Sequence, residues 1–169
     1  MKKLIGAILF MCFTILLVGC GKKEKYNAKI YGNKDEIIPL SFLYDNPVKE
    51  ANYIRETEDG KYESYTVDDA PESRTFIITE ETTLNSIVKE NSLTVDFDKK
   101  MVLLYLYCNY YPSRQLYIKK IKCDNKTINI SFTYEQKKYK DNNGPTPLYA
   151  LVVLDKLDVE TCNFTLITY

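Results

Sequence analysis

Histidine is absent from the 169 residues, which removes Ser-His-Asp and Cys-His nucleophilic catalysis and every zinc site that needs an imidazole. Carboxylates, thiols and phenols remain. Asp96 and Asp98 stand two apart, so on an extended segment they share a side, where paired carboxylates bind a cation or move a proton. The plainer role of such a pair is to flank a core aromatic, here Phe97, at a strand entrance. Asp141-Asn142-Asn143-Gly144 has the look of part of a calcium loop, but Tyr139 stands where an acid belongs and no glutamate closes it, so it reads as a turn. The six glycines are too scattered for a phosphate-cradling loop. No catalytic residue, cofactor or metal ligand is expected.

Of the five cysteines, Cys108, Cys123 and Cys162 lie in the β-rich part of the chain. Any two of them can form a disulfide, leaving one thiol; equally, all three are small buried residues. None has a histidine to activate it as a nucleophile. The fifteen tyrosines are a larger excess. Tyr105, Tyr107, Tyr110, Tyr111 and Tyr117 cluster beside Arg114, and tyrosine and arginine are the residue types enriched at protein-interface hot spots. Sheets favour tyrosine too, which suffices for Tyr105 and Tyr107. Tyr110 and Tyr111 fall in a loop with nothing obvious to bury them. Tyr110, Tyr111, Arg114 and Tyr117 are therefore the candidate partner-binding residues. The 23 basic and 23 acidic side chains cancel, which argues against nucleic acid as the partner.

The elements that position these residues follow a leader. Lys2 and Lys3 precede an apolar stretch over 4–18, the layout of a signal peptide and short for a membrane-spanning helix. The stretch ends in Leu17-Val18-Gly19-Cys20, which resembles the lipobox of bacterial lipoproteins. That resemblance implies cleavage before Cys20, a diacylglyceryl group on its thiol, and stable attachment to the extracytoplasmic face of the cell membrane. Cys12 would be discarded with the leader. Richness in Lys, Asn, Ile and Tyr points to an AT-rich bacterial genome and a Gram-positive envelope. Residues 20–25 read as a lipidated terminus and charged tether, and 26–73 as an N-terminal β-type extension.

Within that extension, 37–44 reads as an edge strand because of Pro39, with Asn46-Pro47 as an alternative helix start. Residues 52–67 read as a hairpin turning at Asp59-Gly60. A strand over 74–79 leads to an amphipathic helix over 80–91, in which Leu84, Ile87 and Val88 share a face. Residues 101–109 and 148–154 are apolar without alternation, as strands covered on both faces are. Residues 115–123 and 126–134 pair around Asp124-Asn125, placing Tyr117 and Ile121 inward with Ile128, Ile130 and Phe132. That register also turns Lys119 inward, a flaw that a bulge or a barrel-end position would relieve. A polar loop over 137–147 and a final strand over 163–169 complete the chain. The expected fold is mainly β, of α+β type: an antiparallel sheet or sandwich with one short amphipathic helix.

From residue 76 onward the order of elements resembles the C-terminal domain of the protease-complex-stability (PrcB) lipoproteins. The resemblance rests on Val95-Asp96-Phe97-Asp98-Lys99-Lys100-Met101-Val102, Tyr117-Ile118-Lys119-Lys120-Ile121 and Thr146-Pro147-Leu148-Tyr149-Ala150-Leu151-Val152, and a domain over 74–169 is assigned on it. Where that family has a Gly-Gly-Tyr step, this chain has Pro112-Ser113-Arg114-Gln115-Leu116-Tyr117, without the glycines that open the turn. The resemblance implies a non-catalytic lipoprotein that holds or stabilises an exported or surface protein, such as a protease. The alternative is a lipoprotein that binds cell-wall glycan or peptide on a tyrosine surface.

Overall fold

Two ten-residue strands, β5 (Lys100–Asn109) and β8 (Thr146–Asp155), pair antiparallel from Lys100↔Asp155 to Asn109↔Thr146. In the computed structural model, which describes residues 26–110, 114–135 and 144–167, they form the centre of the molecule. Strand β4 (Ser73–Ile78) adds to the free side of β5, and β1 (Lys29–Gly32) to that of β8, giving a four-stranded sheet ordered β1-β8-β5-β4. A second sheet is ordered β6-β7-β9: β6 (Leu116–Asp124), β7 (Thr127–Tyr134) and β9 (Thr161–Leu166). Strand β9 runs parallel to β7, because the chain crosses to the first sheet as β8 before it returns. The fold is mainly β, with antiparallel pairing everywhere else.

The apolar runs of β5 and β8 follow from their place in the middle layer. Met101, Leu103 and Tyr107 of β5, with Leu148, Ala150, Val152 and Leu154 of β8, face the second sheet and meet Ile128, Ile130, Phe132 and Cys162. Val102, Leu104 and Leu106, with Tyr149 and Leu151, face the other way. There they are covered by Ile37, Ile38, Leu43, Val48, Ala51 and Tyr53 from the N-terminal part and by Leu84, Ile87 and Val88. Residues 26–53 thus share a core with the two long strands. Strand β1, which no pattern in the sequence announces, lies along β6, so close that a Cβ on Gly32 would sit 2.9 Å from Leu116 Cδ1.

Three local expectations are corrected. Residues 37–44 are no strand: Ile37 and Ile38 plug the core, and helix α1 (Leu40–Asp45) starts behind Pro39, whose φ of −71° and missing N–H suit a helix entrance. Asn46 closes this helix, its backbone and side-chain nitrogens both donating to the Phe42 carbonyl, so it ends a helix and does not begin one. The helix expected over 80–91 is only α2 (Glu81–Asn85) plus a turn. Leu84, Ile87 and Val88 are buried as their spacing requires, but the Lys89 N–H leaves the helix for the Ile37 carbonyl and Asn91 takes φ +57°. There are therefore two short α-helices among the described residues, not one, besides a 3-10 turn over Asn33–Asp35.

The third correction is register. The loop of the β6–β7 hairpin is Asn125-Lys126, both at positive φ, and not Asp124-Asn125. The bulge foreseen at Lys119 is present, between Ile118 and Lys120. Beyond it the faces exchange, so Leu116 and Ile118 turn inward and Tyr117 outward, opposite Thr133. The hairpin of β2 (Tyr53–Glu56) and β3 (Tyr62–Tyr65) forms as expected, but its turn is longer than the two residues Asp59-Gly60. Its loop has three residues: the Gly60 N–H reaches Thr57 O, Thr57 N–H reaches Lys61 O, and Gly60 sits at φ +75°.

Candidate functional site

The candidate residues gather where β5 of the first sheet hands the chain to β6 of the second. At the end of β5, Asn109 is held by its partner strand, its carbonyl accepting from Thr146 Oγ1 at 3.1 Å. Tyr110 follows, its N–H donating to Asn109 Oδ1, and half its surface is exposed. Tyr111, with Pro112 and Ser113, lies outside the described residues, as do Cys20 and Asp141-Asn142-Asn143. The chain resumes at Arg114, which is partly buried with its charge close to Tyr134. Gln115 accepts the Glu135 N–H and closes the ladder before β6 begins. Tyr117 projects from the outer face of β6, 47% exposed. Tyr110 and Tyr117 thus flank one connection, each with an aromatic ring in water.

Tyr105 and Tyr107 have a different position. Their rings stack on each other at 5.2 Å, Phe164 stacks on Tyr105 at 4.9 Å, and Phe132 meets the group edge-on. This is core packing between the sheets, as sheet preference alone anticipates. Inside it the Tyr107 and Tyr134 hydroxyls meet at 2.9 Å. Burial pushes Tyr107 well above the ordinary tyrosine range and Tyr134 up to about 12, so both remain neutral phenols at physiological pH. Beside the stack is a cleft of about 430 Å³, rimmed by Lys49, Glu50, Glu72 and Ser73. Tyr105 is already stacked with two rings and has no free pair of faces for a sugar.

The remaining candidates are local devices. Asp96 and Asp98 do not form an extended pair: Asp96 Oδ1 accepts the Asp98 N–H in a turn, and Lys99 Nζ lies 3.1 Å from Asp96 Oδ2. The Lys99 ammonium holds the Asp96 carboxyl below its ordinary range. Among the described residues no three His, Cys, Asp or Glu side chains are placed to hold a metal ion. Cys108, Cys123 and Cys162 are free thiols. Cys123 and Cys162 flank Ile128 on adjacent strands, two strand spacings or about 9.6 Å apart, beyond disulfide reach. Burial raises Cys162 to about 12 and, with Glu50, raises Cys108, which makes both poor nucleophiles.

One feature of this surface had no isolated signal in the sequence. On the β2–β3 hairpin, Tyr53 and Tyr65 turn inward, and Ile54 and Tyr62 stand on the outer face, 55% and 74% exposed. The alternation of the hairpin permits that arrangement, but only its position over the core decides which face is outward. No family model, no curated protein and no solved structure matches this chain. No helix of the described residues is long and apolar enough to cross a membrane.

Proposed function

We infer that this chain is a lipoprotein anchored through Cys20 to the extracytoplasmic face of a bacterial membrane, where its β domain holds or stabilises an exported protein without catalysing a reaction. The observation that supports the binding role is the pair Tyr110 and Tyr117, exposed on either side of one sheet-to-sheet connection with Arg114 between them. Half-exposed tyrosines with a nearby arginine give large contact area at low entropic cost, the composition of an interface hot spot. The PrcB-like segments suggest a protease as the partner class. The lipobox suggests the anchor, because two acyl chains hold a protein at a bilayer without a spanning helix.

Mild crosslinking on intact cells, followed by purification from the membrane fraction and mass spectrometry, tests both parts. Wild type should bring down a near-stoichiometric exported protein, and Cys20→Ala should leave the membrane fraction. Tyr110→Ala with Tyr117→Ala should release the partner while the unfolding free energy stays within about 0.5 kcal/mol of wild type, as exposed positions allow. A lipidated protein with no protein partner, whose tyrosine fluorescence responds to cell-wall fragments, would replace this reading with the glycan-binding one.

A further inference from the structure

We propose that the half of the outer face of β6 that carries Lys120 and Lys122 docks on anionic phospholipid headgroups and so fixes the orientation of the domain on the bilayer, leaving Tyr117, about 10 Å back along the strand, to the partner; this rests on the reading of Cys20 as the lipid-bearing residue. Two independent features meet at this edge. The first is charge: Lys119, Lys120 and Lys122 are all exposed, and Asp124, at the strand's end, is its single acid. Opposite Lys120 and Lys122 on β7 stand Ser131 and Asn129, both uncharged. Neither lysine has a carboxylate partner among the described residues, whereas Lys126 in the hairpin loop is neutralised by Glu160 and Asp158. The bulge at Lys119 turns its side chain out of the core and places it beside Lys120.

The second feature is where the chain enters the fold. Tyr26 and Ala28 line one open depression with Ile118, Lys119, Lys120 and Ile121. Six residues separate Tyr26 from Cys20, a span of at most about 20 Å even when fully extended. Strand β1 then continues along β6, with Gly32 against Leu116. An acyl anchor at Cys20 therefore keeps this strand, the one of the second sheet that β1 packs along, within short reach of the headgroups. The surface potential of an anionic leaflet acts over about 8–10 Å, and each lysine inside that layer strengthens attachment about fivefold. An acyl anchor alone leaves the domain free to rotate; Lys120 and Lys122 beside the tether select one orientation.

The test uses the full lipidated protein purified from membranes and placed in vesicles of phosphatidylcholine, with or without phosphatidylglycerol. Acetylation by a water-soluble reagent is followed at each lysine by mass spectrometry, with Lys61 at the tip of the β2–β3 hairpin as internal standard. Lys119, Lys120 and Lys122 should react about fivefold more slowly in the anionic vesicles, and high salt should abolish the difference. The Lys120→Gln, Lys122→Gln double variant should lose the protection of Lys119 while remaining on the vesicles. Equal rates in both vesicle types overturn the docking. The intact mass separates this from failure of the anchor: diacylglyceryl-Cys20 with unprotected lysines removes only the docking, and unmodified Cys20 removes both.

Discussion

Tyr107 and Tyr134 place two buried hydroxyls 2.9 Å apart, and the Tyr107 hydroxyl depends on this contact for more than the bond itself is worth. A net hydrogen bond contributes about 1 kcal/mol, but a buried hydroxyl left without it costs about 1–3 kcal/mol. Tyr134→Phe keeps the ring and strands the Tyr107 hydroxyl, so it should lower the unfolding free energy by about 1–3 kcal/mol in urea melts. Adding Tyr107→Phe removes the stranded group and should recover most of that loss. A double variant no better than the single one would refute the coupling. The same burial makes the fold sensitive to alkali. Tyr134 rises from 10.0 to about 12 and Cys162 from 9.0 to about 12, with desolvation the largest cause in both. Below about pH 9 these groups are protonated in both states, and stability is at its full value. Above it the unfolded chain releases protons first, so stability falls as pH rises from about 9 towards about 12. Tyr134 alone accounts for about 2–3 kcal/mol of this loss, and Tyr134→Phe should flatten the stability curve above about pH 10.

At the scale of elements, the β6–β7 hairpin shows two conformational costs that the sequence states only in part. Its two-residue loop holds Asn125 at φ +46° and Lys126 at φ +62°, the left-handed region that asparagine tolerates and lysine resists. Lys126 also makes ion pairs with Glu160 and Asp158, but these are exposed and worth at most about 1 kcal/mol together. Relief of the left-handed lysine is worth about 1–2 kcal/mol, so Lys126→Gly should raise stability by up to about 1 kcal/mol in thermal melts. A decrease would mean that the ion pairs outweigh backbone strain. This hairpin also shows what sequence patterning conveys. The alternation of Ile128, Ile130 and Phe132 located β7 and its buried face, and the inward lysine revealed the bulge. The one-residue position of the loop stayed hidden, because Asp-Asn and Asn-Lys are similar turn pairs, but it leaves the faces unchanged; the bulge between Ile118 and Lys120 is what reversed Tyr117. Its side chain is outward and available to a partner, not part of the core. In 37–44 the apolar run was legible as buried, but Pro39 suits both an edge strand and a helix entrance; only the packing of Leu43 decides between them.

At the scale of the whole molecule, the boundary suggested at residue 74 is tested by what covers the long strands. Val102, Leu104, Leu106, Tyr149 and Leu151 are each at most 1% exposed, and their cover includes Ile37, Ile38, Leu43, Val48, Ala51 and Tyr53. The contact is polar as well as apolar: Ile37 N–H donates to the Tyr149 hydroxyl at 2.9 Å, and Tyr149 N–H donates to Asn33 Oδ1 at 2.8 Å. Tyr53, fully buried itself, accepts the Val48 N–H at 2.8 Å and so ties the loop between α1 and β2 into the same layer. Removing residues 26–73 would expose a face of five large side chains at about 1.5–3 kcal/mol each, a loss near the whole stability of a domain this size. It would also free the edge of β8, an invitation to pairing between chains. A fragment over 74–169 should therefore show no cooperative melting transition and should bind a hydrophobic dye, whereas 26–169 should unfold in a single step. A fragment over 74–169 that melts cooperatively would make the N-terminal layer an accessory. A milder probe reaches the same layer from the other side: Gly32→Ala forces a methyl group against Leu116 and should cost about 1–3 kcal/mol by overpacking. Because Gly32 joins β1 to β6, that loss would show that the first described segment of the chain is part of the sandwich.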